Sequence, residues 1–160
     1  MKYKSKPRLK DLDYRGLNRY FVTICTSEKE PLFVDVRLVE TILSIIREKA
    51  LKHAFTGWGY CFMPDHLHLL LEGTDASSDL KTFVKAFKQR SGYLFGMGTA
   101  DPGKKLWQPG YYDHVLRRDE DTAGVLRYIL ENPVRKGLAD NFTDYRYSGS
   151  FVIDIEGITF

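Results

Sequence analysis

The chain has 160 residues, 43% of them apolar and 28% charged, with a net charge of +3. This is the make-up of one soluble globular domain spanning residues 1–160, long enough to bury a core without disulfides or a structural metal. Cys25 and Cys61 stand far apart with no CxxC pair, which excludes a zinc ribbon or a thioredoxin-type motif and suits reduced thiols in an intracellular, cytoplasmic protein.

The chain opens on a basic arm, residues 1–18. It carries Lys2, Lys4, Lys6, Arg8, Lys10 and Arg15, with Arg19 just beyond, against Asp11 and Asp13. A phosphate-binding arm and a solvated tail are both consistent with it. The start lacks the apolar stretch of a signal peptide, and no later run reaches membrane-spanning length. Arg19 to Thr26 is rich in β-branched and aromatic residues and predicts a strand. Val39, Ile42, Leu43, Ile46 and Ala50 recur at helical spacing, so a helix is expected over 37–52. Residues 55–63 and 66–72 read as strands separated by Pro64-Asp65, a gap short enough for antiparallel neighbours. Leu80, Phe83, Val84 and Phe87 predict a helix over 79–95, with Lys81, Lys85 and Lys88 together on its other side. A loop holding Lys104, Lys105 and Trp107 leads to an expected strand over 111–117 and a helix over 119–132. The C-terminal stretch shows no periodicity and stays unassigned. The order strand, helix, strand, strand, helix, strand, helix is the split βαβ pattern of a ferredoxin-like α+β sandwich. Two helices would cover one face of an antiparallel sheet, and the third is extra to the pattern.

The segment Met63-Pro-Asp-His-Leu-His-Leu-Leu-Leu71 is the most informative. Side chains alternate along a strand, so His66, His68 and Leu70 share one face while Leu67, Leu69 and Leu71 face the core. Two imidazoles so placed can ligate one metal ion; a half-exposed strand with incidental histidines is the plainer alternative. In Tyr128-Ile-Leu-Glu-Asn132 a phenol and an amide stand four residues apart, on one side of a helix. A packed core tyrosine and a helix-end asparagine before Pro133 account for them equally well.

The His-Leu-His strand, Trp107-Gln108-Pro109, Asp113-His114-Val115 and Tyr128-Ile-Leu-Glu-Asn-Pro-Val134 occur in this order, after an opening Tyr20-Phe-Val-Thr-Ile-Cys-Thr26 strand. This ordered set resembles the single-tyrosine HUH transposases of the IS200-like family, and within them the REP-associated tyrosine transposases, over about residues 14 to 140. The resemblance implies that Tyr128 is the nucleophile and that His66 and His68 are metal ligands. Asn132 matches the third ligand position, where insertion-sequence members often carry the longer Gln. It implies a single-stranded DNA substrate near a hairpin, a 5′-phosphotyrosine intermediate, and strand transfer without ATP. It leaves monomer and homodimer both open.

A set of two imidazoles and one amide oxygen suits Mg²⁺ or Mn²⁺, which neutralises a non-bridging phosphate oxygen. No neighbouring side chain stands out as the base for the phenol. Lys81, Lys85, Lys88, Arg117, Arg118 and Arg127 are candidate phosphate contacts, each alternatively part of a solvated face. Trp107 could stack an unpaired base or pack in the core. His114 belongs to a matched motif and could pack beneath the site or touch phosphate. Two rival functions remain: a metal-dependent nuclease using activated water, and a hairpin-binding protein without catalysis.

Overall fold

The computed structural model describes residues 13–117 and 121–158. Most of the basic arm, Arg118, and the expected start of the third helix at 119–120 lie outside the described residues.

β1 (Arg19–Cys25) pairs antiparallel with β3 (His66–Gly73) on one side and β4 (Tyr112–Leu116) on the other. β2 (Phe55–Met63) pairs with β3 across the Pro64-Asp65 turn, and the two-residue β5 (Ser148–Gly149) adds to its outer edge. The order β4-β1-β3-β2-β5 is the split βαβ arrangement with one strand appended. α1 (Val36–Lys52) and α2 (Leu80–Gly98) begin at Asp35 and Asp79, whose carboxylates accept from Arg37 N and Thr82 N. Such caps satisfy amides that have no partner within the helix.

Strand alternation divides the core in two. Val22, Ile24, Leu67, Leu69 and Leu71 point toward α1 and α2 and pack with Ile42, Ile46, Phe83 and Phe87. Phe21, Cys61, Met63 and Leu70 point the other way, beneath α3 (Thr122–Leu130). α3 approaches closely at Gly59, where an added Cβ would lie 2.3 Å from Leu126 Cδ1. Arg19 ties the start of α3 to the sheet, bonding Thr122 Oγ1 at 2.7 Å and pairing with Glu72 at 3.1 Å. Glu72 also accepts from Trp58 Nε1.

The expected third helix does not run through to Asn132. It stops at Leu130, Glu131 adopts φ −79° and ψ −5°, and a short α4 (Asn132–Arg135) restarts the coil with Pro133 in its first turn. Proline suits a first turn, where its missing N–H has no partner to lose. Tyr128 and Asn132 therefore stand on two helical pieces, not on successive turns of one. The C-terminal stretch folds against β2 through side-chain bonds to backbone: Tyr145 Oη donates to Phe62 O and Ser150 Oγ to Trp58 O. No helix among the described residues is long and apolar enough to cross a membrane.

Candidate metal and nucleophile site

His66 and His68 share the α3 face of β3, as alternation requires. Their Nε2 atoms converge to 3.2 Å. Each Nδ1 is engaged from behind, His66 by the Asp65 carboxylate at 2.5 Å and His68 by Thr23 Oγ1 at 2.8 Å. An imidazole that donates Nδ1–H to an oxygen presents a bare lone pair at Nε2. With the proton of each ring on Nδ1, the two Nε2 lone pairs face each other and would favour a cation between them; with one Nε2 protonated, they form an N–H···N bond. Rear support of this kind typifies metal-ligating histidines. Burial, with His66 and Arg135 adding to it, pushes the His68 pKa down to about 3, so its ring is neutral and fit to ligate.

The backbone holding this pair is tied down. Thr26 N donates to Asp65 O, Thr26 Oγ1 lies within bonding distance of both Asp65 O and Glu30 O, and Phe33 N donates to Pro64 O. The turn that carries Asp65 and His66 is thus fastened to the segment following β1.

Tyr128 reaches the same face from α3. Phe21 lies between the two halves of the site, its ring 5.3 Å from that of His68 and 6.0 Å from that of Tyr128. Tyr128 is half-buried. The Arg135 guanidinium stacks 4.3 Å from its ring centroid and donates to Tyr128 O at 2.5 Å. Arg135 also lies 3.5 Å from Glu131 and close enough to His68 to disfavour its protonation. Asn132 is buried, at 6% exposure, and its Nδ2 has no hydrogen-bond partner. Rotating the amide would put Oδ1, a cation ligand, where that orphaned nitrogen stands. Among the described residues no three of His, Cys, Asp and Glu converge as a metal site.

The remaining candidates divide by position. Trp107 is a core residue: it is 7% exposed, packs on Phe33 and Phe87, and donates Nε1–H to Ser91 Oγ at 2.9 Å. That burial leaves no ring face for a base, so packing is its role. Lys81, Lys85 and Lys88 ride on α2, which covers the opposite face of the sheet from the histidines. Lys85 is exposed, Lys81 sits 4.9 Å over the Tyr14 ring, and Lys88 donates to Gln108 O and Gly110 O at 2.8 and 2.7 Å. Lys88 is therefore a loop clamp. His114 pairs with Phe21 and so stands on the site face, half-buried. Arg117 is exposed beyond the end of β4, and Arg127 is exposed on α3 with its Nε 2.8 Å from Glu131.

Sequence reasoning missed Asp65, Thr23 and Arg135. Asp65 directly precedes His66, and Thr23 shares the strand parity that places it opposite His68. No sequence signal pointed to Arg135, because its contact depends on the helix restarting at Asn132.

Comparison with known proteins identifies the family. The family described as "Transposase IS200 like" matches residues 16–132. A Haemophilus influenzae protein named as a candidate REP-associated tyrosine transposase is 26% identical over 152 residues, covering 90% of this chain and 85% of that protein. The REP-associated tyrosine transposase of Escherichia coli is 24% identical over 86 residues, covering 54% of this chain and 48% of that one. Among solved structures, a REP-associated tyrosine transposase bound to a REP hairpin superposes with a TM-score of 0.72 at 17% identity, over 89% of this chain and 82% of that one. A candidate transposase from Deinococcus radiodurans gives a TM-score of 0.53 at 26% identity, over 79% of this chain and 97% of that one. With the family matching residues 16–132, most of the chain, this protein belongs to the IS200-like transposases.

Proposed function

We propose that this transposase cuts and rejoins single-stranded DNA beside a hairpin, with Tyr128 as the nucleophile and His66, His68 and Asn132 holding a divalent cation, Mg²⁺ or Mn²⁺. The observation that carries the reading is the pair of facing Nε2 atoms, both rings held from behind, on the sheet face that Tyr128 overlies through Phe21. A divalent ion bound there would neutralise a non-bridging phosphate oxygen and so ease attack on an anionic diester.

In the cutting step the Tyr128 oxygen forms a bond to phosphorus and the bond from phosphorus to the 3′-oxygen breaks. Net, the phenolic proton ends on that 3′-oxygen. The products are a 5′-phosphotyrosine and a free 3′-hydroxyl. Attack by another 3′-hydroxyl reverses the step and joins a new strand, with no bond energy lost to water. Arg135, stacked on the nucleophile's ring, orients the phenol and adds positive charge beside the phosphate. Arg127, exposed on α3, and Arg117, exposed just beyond β4, supply phosphate contacts for the flanking strand, while Lys85 on α2 is placed for DNA that wraps further. Support for a hairpin-bearing single strand as substrate comes from the solved structure of the same fold, a REP-associated tyrosine transposase bound to a REP hairpin.

The test is to incubate the protein with Mn²⁺ and a library of labelled hairpin oligonucleotides, and to resolve the products on a denaturing gel. A protein-linked band that disappears in Tyr128→Phe supports the reading. Cleavage that survives in Tyr128→Phe would establish the activated-water nuclease instead. Hairpin binding with no cutting by the wild type would establish a binding protein.

A further inference from the structure

The site face of the sheet is closed on one side of the histidines and open on the other. In the cross-strand row through His68, the β2 neighbour is Cys61, with 0% exposure, under the α3 cluster. Toward the other edge the row continues through Thr23, half-buried, to Tyr112 on β4, which is 52% exposed. Residues directly paired in antiparallel strands share a face. Tyr112 therefore stands on the same side as His66 and His68, two strand spacings or about 10 Å from His68. A strand lying across the histidines meets the helix cluster on the Cys61 side and open surface on the Tyr112 side.

Tyr112 occupies an edge strand, where natural sheets commonly place charges or proline. Here a large ring is offered to solvent instead, and among the described residues it makes no ring stack. The backbone leading into it is held: Lys88 donates to the carbonyls of Gln108 and Gly110, and Gln108 N donates to Cys25 O. A ring on a fixed strand loses little freedom when a base covers it.

We propose that Tyr112 is the stacking platform for an unpaired nucleobase of the strand whose phosphate is held at His66 and His68. The proposal rests on the DNA-cutting reading above and adds a base subsite to it. Aromatic stacking accepts any base, so the subsite sets where the strand lies, not its sequence.

The experiment measures binding of the full-length protein to a labelled thymidine homopolymer and to an abasic strand of equal length, across a salt series. Tyr112→Ala should weaken homopolymer binding by about 5- to 100-fold. Abasic-strand binding and the slope of affinity against salt should be unchanged, because no phosphate contact is lost. Tyr112→Phe, which keeps the ring, should bind as the wild type does. Homopolymer binding by Tyr112→Ala equal to wild type, or an equal loss on the abasic strand, overturns the subsite. Neither result depends on the covalent band that Tyr128→Phe removes, so failure of the subsite and failure of the cutting mechanism are told apart.

Discussion

On the α1–α2 side of the sheet, Val22, Ile24, Leu67, Leu69 and Leu71 are all fully buried among aliphatic and aromatic side chains. On the α3 side, the intervening residues of the same two strands are Phe21, Thr23, Cys25, His66, His68 and Leu70; Phe21, His68 and Leu70 are buried, while Thr23, Cys25 and His66 are half-buried. One face is sealed by two long helices; the other is covered by a nine-residue helix over part of its area. The difference teaches how a small domain builds chemistry onto a stable frame. Alternation lets the same strands supply a dry core on one side and fixed polar groups on the other. The stability of the first face holds the geometry of the second, and polar groups that would be costly in a closed core keep partners where they are.

Substitutions on each face should separate these roles. His68→Ala should abolish metal-dependent cutting, the largest effect, while hairpin binding, measured by gel retardation in chelator, persists. Loss of binding together with cutting would mean that the histidine face is part of the structural core. Leu69→Ala, one residue away on the opposite face, should lower stability by about 2–5 kcal/mol in urea unfolding, because a fully buried side chain leaves a cavity. Its cutting rate per folded molecule should stay near wild type, and a selective loss of cutting would break the division of labour. Asp65→Asn and Thr23→Val should have the smallest effects, weakening Mn²⁺ binding by about 10- to 100-fold in calorimetric titration with little change in unfolding. Unchanged Mn²⁺ affinity in both would show that their bonds to Nδ1 do not tune the ligands.

Much of this frame was legible in the sequence. The spacing of Val39, Ile42, Leu43, Ile46 and Ala50 predicted α1, and those five residues are buried. The parity of His66-Leu-His68 predicted which side chains face together, because a strand has only two faces. Most of what escaped depends on contacts between distant segments. The break at Glu131 is a local backbone choice that helical periodicity does not register. For Trp107 the sequence left stacking on a base and packing in the core both open; its indole finds Ser91 sixteen residues away and the ring fills the core. Lys88 matched a basic stripe, yet its ammonium holds two loop carbonyls. β5 is two residues long and has no pattern to read; hydroxyl bonds from Tyr145 and Ser150 hold the tail in place. Thr23 became visible as the partner of His68 only when strand register set it beside the ring, whereas Asp65 adjoins His66 in the chain itself.

The bonds from Thr26 and Phe33 to the Pro64-Asp65 turn carry a consequence for affinity. A hairpin tip left to itself samples many shapes, and gathering two imidazoles around an ion would then cost conformational entropy at each binding event. Here that cost is met once, during folding, when the tip is stitched to its neighbouring loop. On the proposed reading the imidazoles are already aimed, so a divalent ion binding there would have to shed its water but would not have to assemble its own cage.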